Sequence, residues 1–245
     1  MSDALRTVEQ AGPAPSKETV GLRALRGLAR RPAAMVGLIG VVLIVGVAVF
    51  APAVAPYDPT AQDLANSLAP PVWAEGGSFE HPLGTDVLGR DVASRLAFGA
   101  RNSLAISVGA MLVASTLGLT TGLLAGFFGG KVDSVLMRLG EIQLAFPFIL
   151  LAIAVLGTIP DRSQLHLIVV LGIPGWIVYA RVVRSRVLAE REKEYVLAAK
   201  ALGAGSFRRL RRYVLPSVWQ VVPVIAVLDV GFLVIMESTL SFLGL

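Results

Sequence analysis

The length of the uncharged apolar runs is the feature that most limits how this chain can fold. Residues 32–57 and 102–130 contain no charged side chain. A helix rises about 1.5 Å per residue, so roughly 20 apolar residues cross the hydrocarbon core of a bilayer. Only 16% of the 245 residues are charged, whereas about 25% is usual in soluble domains. The sequence therefore predicts an all-α integral membrane protein.

Further apolar segments extend this pattern to a polytopic helical bundle. The predicted spans are residues 32–57, 102–130, 142–160, 163–183 and 214–245. Gly118, Gly122 and Gly126 form a stripe of small residues in the second span, where a neighbouring helix could pack closely. Pro147 should kink the third span and free a carbonyl, for gating or for packing alone. We also expect Pro174 to break the fourth span.

The charges between the spans are segregated, which predicts their orientation. Arginines precede the first span, acids dominate residues 58–94, and bases outnumber acids in residues 181–212. Under the positive-inside rule the N-terminus is then cytoplasmic. We predict a cytoplasmic tail and amphipathic helix over 1–31, an external loop over 58–101, and a core over 102–245 with a cytoplasmic loop at 184–214.

The sequence lacks the patterns of common enzymes. It has no G-x-x-x-x-G-K-[ST] phosphate loop and no cysteine, and His81 and His166 lie far apart. We therefore expect no catalytic residue, metal site, cofactor or nucleic-acid partner in this chain. Asp229 and Glu237 lie inside the fifth predicted span, where ionisable groups usually face a bundle interior or a cavity. Together with Pro147 they are candidates for a pore or substrate path.

Residues 190–216 form the most informative cytoplasmic stretch. Good helix formers fill 194–202, and Gly203 is a natural stop. Helical spacing predicts one shared face, on which two small residues would allow another protein to approach closely; its members are Tyr195, Ala198, Ala199 and Leu202. The alternative is an amphipathic loop at the lipid surface, with arginines on anionic headgroups.

The spacing Ala198-Ala199, three residues, Gly203, then Leu215-Pro216 resembles the EAA loop of ABC importer permeases. Two positions depart from that pattern, with Leu197 in place of Glu and Tyr213 in place of Ile. The resemblance implies a coupling helix that docks on an ATP-hydrolysing subunit. The implied contact residues are Glu194, Tyr195, Ala198, Ala199, Leu202, Gly203, Leu215 and Pro216.

A narrower resemblance lies in residues 81–104, HPLGTDVLGRDVASRLAFGARNSL. This string is similar to the signature before the second span in the C-type permease subunit of dipeptide, oligopeptide and nickel importers. Its glycines permit tight turns, and Arg90 lies between two acids with which it could pair; the signature residues are Gly84, Asp86, Gly89, Arg90 and Asp91. The stretch from Glu237 to the end, ESTLSFLGL, resembles the same subunit. In that family a sixth span follows, so we expect the sequence to be truncated after Leu245.

The resemblance implies a type I ABC importer fold in the bacterial cytoplasmic (inner) membrane. This chain would form half of a pore for dipeptides or oligopeptides, or for nickel or other small solutes. Implied partners are a homologous permease subunit, one or two subunits that bind ATP and Mg, an extracytoplasmic solute-binding protein, and the lipid bilayer. Two other classes stay open: a secondary transporter that uses Asp229 or Glu237 as an ion site, and a membrane scaffold that recruits cytoplasmic partners.

Overall fold

The computed structural model describes residues 31–159 and 163–244. The predicted tail and amphipathic helix of residues 1–31 lie, apart from Arg31, outside the described residues. Contacts divide the chain into two compact units, one that ends at Val47 and one that begins at Ala48. Helix α1 (Pro32–Val49), all but the last two residues of which belong to the first unit, begins at a proline and continues through aliphatic residues that are largely exposed. Its 18 residues are about 27 Å long, close to the thickness of a bilayer core.

The second unit is a bundle of three long helices and several short ones. Its helices are α2 (Ala51–Val54), a 3₁₀ turn (Leu64–Asn66), α3 (Val92–Phe128), α4 (Gly130–Leu144), α5 (Phe148–Gly157), α6 (Gln164–Arg191), α7 (Glu194–Ala201), α8 (Ser206–Arg209), a π turn (Leu210–Val214), α9 (Leu215–Trp219) and α10 (Val222–Phe242). No strand occurs in residues 31–159 and 163–244, which hold only an isolated bridge between Thr85 and Asp91. The all-α class is confirmed.

The number of spans depends on one bent pair of helices. Helices α1, α3, α6 and α10 are each long and apolar enough to cross a membrane. Helices α4 and α5 meet at 82° and would together make a fifth span. The predicted bundle of five spans thus agrees with the structure only if this bent pair is one span.

The glycine stripe of α3 packs directly against α6. A Cβ on Gly118 would lie 2.5 Å from the carbonyl oxygen of Trp176, and one on Gly122 would lie 2.7 Å from that of Ala180. Because glycine has no side chain, the two backbones approach each other closely there. The predicted role of the stripe is confirmed, and its partner is α6. We call this contact, from Gly118 to Gly126 on α3, the glycine seam.

Several predicted boundaries and breaks differ from the structure, because charges and prolines alone do not decide where a helix ends. Residues 131–141, which separate the second and third predicted spans, lie within helix α4. The third predicted span is interrupted at Pro147, as expected, but by a complete break. Pro147 is the N-cap residue of the ten-residue helix α5, which meets α4 at 82°. Helix α6 continues through Pro174, where we expected a break. Helix α3 begins at Val92, so the predicted loop of residues 58–101 ends in helix.

Candidate functional site

Helix α7 is the predicted coupling helix, and it begins and ends as the sequence indicates. It begins at Glu194 and its last residue is Ala201. Gly203 follows with φ of 81°, a conformation that favours glycine. The N–H of Gly203 donates to the carbonyl of Lys200, and the N–H of Ala204 donates to that of Ala199. This pair of bonds is a Schellman motif, so the predicted stop at Gly203 is confirmed.

The faces of α7 differ from the prediction at one residue. Tyr195, Ala198 and Leu202 are exposed, with Leu202 at 88%. Ala199 is only 6% exposed, and Val196, at 1%, lies on the same inward side. The prediction that Ala199 belongs to an accessible face is therefore wrong, because the short helix turns that side toward its own bundle. The accessible face consists of Tyr195, Ala198 and Leu202, and we call it the α7 outer face.

Glu190, at the end of α6, holds α7 against the bundle. Its carboxylate is buried, accepts a hydrogen bond from the Tyr195 hydroxyl and forms an ion pair with Lys193 at 2.9 Å. Val196 adds an apolar contact, since it belongs to the same buried cluster as Val187 of α6 and Val214. Sequence reasoning missed Glu190. The only signal was an acidic residue at the start of a strongly basic segment.

The rest of the predicted coupling loop forms a basic groove beside α9. The groove is lined by Phe207, Arg208, Arg211, Arg212 and Pro216. Pro216 lies in the first turn of α9, where a missing N–H costs little. Leu215 is partly buried against the cluster that contains Val196. The structure thus brings Leu215 against the bundle and leaves Pro216 exposed in the basic groove, and neither belongs to the α7 outer face.

The signature before α3 is a compact turn whose glycines have the expected role. Gly84 and Gly89 have φ of 76° and 73°. A Cβ on Gly84 would lie 2.5 Å from the carbonyl oxygen of Ala69, and one on Gly89 would overlap the carbonyl of Asp63. Both positions therefore require glycine for conformation and for space.

The two acids of this signature have different partners. Burial raises the pKa of Asp86, but hydrogen bonds from the Arg90 and Leu88 N–H groups and from the Arg90 guanidinium outweigh it and lower the pKa to about 2. Asp91 caps α3 by accepting from the Ser94 N–H at 2.7 Å, and it contacts His81 at 3.1 Å. Burial also raises the pKa of Asp91, yet these bonds leave it below its usual value. The predicted ion pair of Arg90 is thus with Asp86, and these side chains hold the turn together.

A cavity of about 400 Å³ lies between α4, α5, α6 and α10. Asp229 of α10 lines it and accepts a hydrogen bond from the Tyr179 hydroxyl of α6 at 2.9 Å. Gln143 of α4 also lines it, donating to the carbonyl of Pro174 at 2.7 Å and accepting from the Trp176 indole at 2.7 Å. Sequence reasoning named Asp229 but missed Gln143 and Tyr179, because nothing local links residues on three helices.

The other two pore candidates are not among the residues that line this cavity. Glu237 is 7% exposed and accepts a hydrogen bond from the Ser103 hydroxyl of α3 at 2.7 Å. It therefore links α10 to α3, and the structure does not bring the two acids of α10 to a common site. Pro147 is exposed at the break before α5, beside Phe146 and Phe148, which line the cavity.

Comparison with known proteins gives matches along most of the chain. Residues 118–245 match the family described as binding-protein-dependent transport system inner membrane component, and residues 20–71 match the N-terminal transmembrane domain of oligopeptide transport permease C. The di/tripeptide transport system permease protein DppC of Pseudomonas aeruginosa is 38% identical over 95% of this chain and 75% of its own length.

Two further relatives carry different names. The oligopeptide transport system permease protein OppC of Bacillus subtilis is 39% identical over 86% of this chain and 67% of its own length. The nickel transport system permease protein NikC of Escherichia coli K12 is 37% identical over 78% of this chain and 66% of its own length.

Proposed function

Because the chain belongs to the binding-protein-dependent transport inner membrane components, in the dipeptide, oligopeptide and nickel group of ABC importer permeases, we propose that it forms half of a peptide translocation pore and couples it to a separate ATPase. The family is one of transport permeases, not of enzymes. In this proposal ATP and Mg bind to the partner subunits, and this chain transmits their movement.

The observation that carries the proposal is the way in which α7 is attached to the end of α6. On its inner side Val196 packs into the buried cluster, and the Tyr195 hydroxyl donates to Glu190 at the end of α6. Tyr195 and Leu202 are otherwise exposed, at 44% and 88%. An exposed apolar face on a cytoplasmic loop is typical of a protein interface. A helix attached in this way would transmit the movement of a docked ATPase subunit directly to α6.

The remaining partners and the substrate follow from the family. We propose a homologous permease subunit as the other half of the pore, one or two ATP-binding subunits, and an extracytoplasmic solute-binding protein. Peptides are the proposed substrate because the relatives at 38% and 39% identity are named for di/tripeptide and oligopeptide transport. Nickel or another small solute is the second candidate, favoured by the nickel permease at 37% identity.

We place the loop of residues 58–91 outside the cell and the segment of α7 to α9 in the cytoplasm of the bacterial inner membrane. The basis is the excess of bases over acids in residues 181–212. Since the chain has no cysteine, Ser78→Cys and Ser206→Cys each give a single labelling site. In intact cells an impermeant maleimide should label position 78 and spare position 206, and the reverse result would refute this orientation.

The proposed function is tested by uptake in proteoliposomes that contain this chain, its partner permease and the ATPase subunits, supplied with the solute-binding protein. We expect uptake of labelled dipeptide that requires ATP inside the vesicle and persists when the proton gradient is collapsed. Uptake that follows the proton gradient without ATP would indicate a secondary transporter, and would refute the proposal. Competition by unlabelled peptide or by chelated nickel identifies the substrate class.

A further inference from the structure

The cavity between α4, α5, α6 and α10 has an almost wholly apolar wall. Its volume of about 400 Å³ is within the range of small-ligand sites, roughly 300–1,000 Å³. Of its two polar side chains, Gln143 is already bonded at both ends of its amide, to the Pro174 carbonyl and the Trp176 indole. Asp229 is the one charged side chain among the lining residues.

Among the residues that the structure describes, the carboxylate of Asp229 has a single hydrogen-bond partner. Its Oδ2 accepts from the Tyr179 hydroxyl, and no lysine, arginine or histidine in residues 31–159 and 163–244 forms an ion pair with it. A carboxylate in apolar surroundings is destabilised unless a cation or several hydrogen-bond donors reach it. The other acid of α10, Glu237, accepts from two hydroxyls, those of Ser103 and Ser241. A ligand that carries a positive charge would supply what Asp229 lacks.

The cavity wall also offers aromatic rings to a cation. Phe148 of α5 and Phe232 of α10 both line the cavity, and their ring centroids lie 6.3 Å apart. A cation is attracted to the face of an aromatic ring, and the effect is stronger away from water. The rest of the wall is aliphatic, which suits the apolar part of the same ligand.

We propose that this cavity binds amphipathic ammonium compounds, with the amine on Asp229 and an apolar side chain against the aliphatic and phenylalanine wall. The N-terminus of a short peptide with apolar side chains has this chemistry. The inference rests on the proposed function, because it assigns to the permease itself a preference for the charged amino end of the transported peptide.

The test compares two probes that differ by one charge. Leucyl-leucinamide carries one ammonium group and no carboxylate, and N-acetyl-leucyl-leucinamide is its neutral counterpart. Their binding to the assembled permease pair in nanodiscs, without ATPase subunits or binding protein, is measured by equilibrium dialysis. We expect the ammonium probe to bind at least about tenfold more tightly, as expected when one charge-assisted contact is gained. Equal binding of the two probes would overturn the proposal.

Two matched variants assign the effect to Asp229. Asp229→Asn keeps the shape of the side chain and an acceptor for Tyr179 but removes the charge, and should abolish the preference for the ammonium probe. Glu237→Gln removes the other carboxylate of α10, away from the cavity lining, and should preserve the preference. An unchanged preference in Asp229→Asn refutes the inference.

A further variant covers the case in which Asp229→Asn does not assemble. Val178 lines the cavity and is 54% exposed, so Val178→Lys introduces a competing ammonium group on its wall. This variant should weaken binding of the ammonium probe at least tenfold and affect the neutral probe less. Equal weakening of both probes would contradict the inference.

Uptake by the complete transporter separates this inference from the proposed function. ATP-driven uptake by a permease pair that binds both probes equally leaves the proposed function standing and refutes the inference. A clear preference for the ammonium probe, combined with uptake that does not require ATP, refutes the proposed function and leaves the cavity assignment intact.

Discussion

The two sides of helix α6 are built in opposite ways. Toward α3, the glycine seam brings the backbones together, and Tyr179, Ala180 and Val183 are fully buried there. On the side of α4, α5 and α10, the same helix lines a cavity of about 400 Å³, and Val178 is 54% exposed. On the α3 side the two backbones are in contact because glycine has no side chain. On the cavity side a few polar contacts join α6 to its neighbours.

This difference indicates which parts can move. Where backbones touch, a helix cannot slide without overlap, so α3 and α6 should behave as one rigid pair. On the cavity side, α4 is tied to α6 by the two-point pair of Arg184 with Asp133 and by the amide of Gln143. Such contacts can break and re-form in a conformational change. Helix α7 is attached at the end of α6, and therefore to the rigid pair of α3 and α6.

The largest effect should come from adding one methyl group to the seam. Gly118→Ala would place a Cβ against the Tyr179 side chain and 2.5 Å from the Trp176 carbonyl oxygen. We expect a loss of about 1–3 kcal/mol in stability, which is typical of overpacking, measured by unfolding of the purified chain in detergent. The control is Gly99→Ala in the same helix, where no atom lies within 4 Å. It should be neutral or slightly stabilising, and equal losses in both variants would mean that the helices separate easily.

A smaller effect should follow from removing one contact on the cavity side. Asp133→Asn weakens the partly buried pair with Arg184, so we expect a loss of about 1 kcal/mol and faster hydrogen exchange in α4. Arg138→Gln on the same helix breaks only the exposed pair with Glu141, and should leave exchange unchanged. If Asp133→Asn destabilised the chain as much as Gly118→Ala, the contrast between the two sides of α6 would disappear.

The smallest effect should be seen outside the helix pair, in the turn around Asp86. The pKa of Asp86 is about 2 in the folded chain, lower than its ordinary value of 3.8. Its contribution to stability is therefore present above pH 3.8 and is lost as the pH falls toward 2. Acid unfolding of the wild type should thus steepen over that range, and Asp86→Asn should flatten the curve. Glu75→Gln, at an exposed position of the same loop, should leave the profile unchanged.

The sequence was sufficient where a feature depends on local spacing. The apolar runs, the glycine stripe, the stop at Gly203 and the pair of Arg90 with Asp86 all involve residues close together in the chain. It was insufficient where distant residues decide. Ala199 turns inward because α7 packs on Val187 and Val214, and the Gln143 amide meets Pro174 across 31 positions. Proline at 174 was expected to break a helix, but local propensity does not include the packing of α6 on α3.

The central claim is that α7 transmits the movement of an ATPase subunit to the bundle, and uptake per ATP hydrolysed tests it most directly. Ala198→Trp adds bulk to the α7 outer face without entering the bundle, since Ala198 is exposed. Lys200→Trp makes the same addition on the opposite flank of the helix, two residues and about 200° away.

In proteoliposomes of the complete transporter, we expect Ala198→Trp to lower uptake per ATP hydrolysed at least tenfold and Lys200→Trp to stay close to the wild type. A normal ratio in Ala198→Trp would contradict the claim.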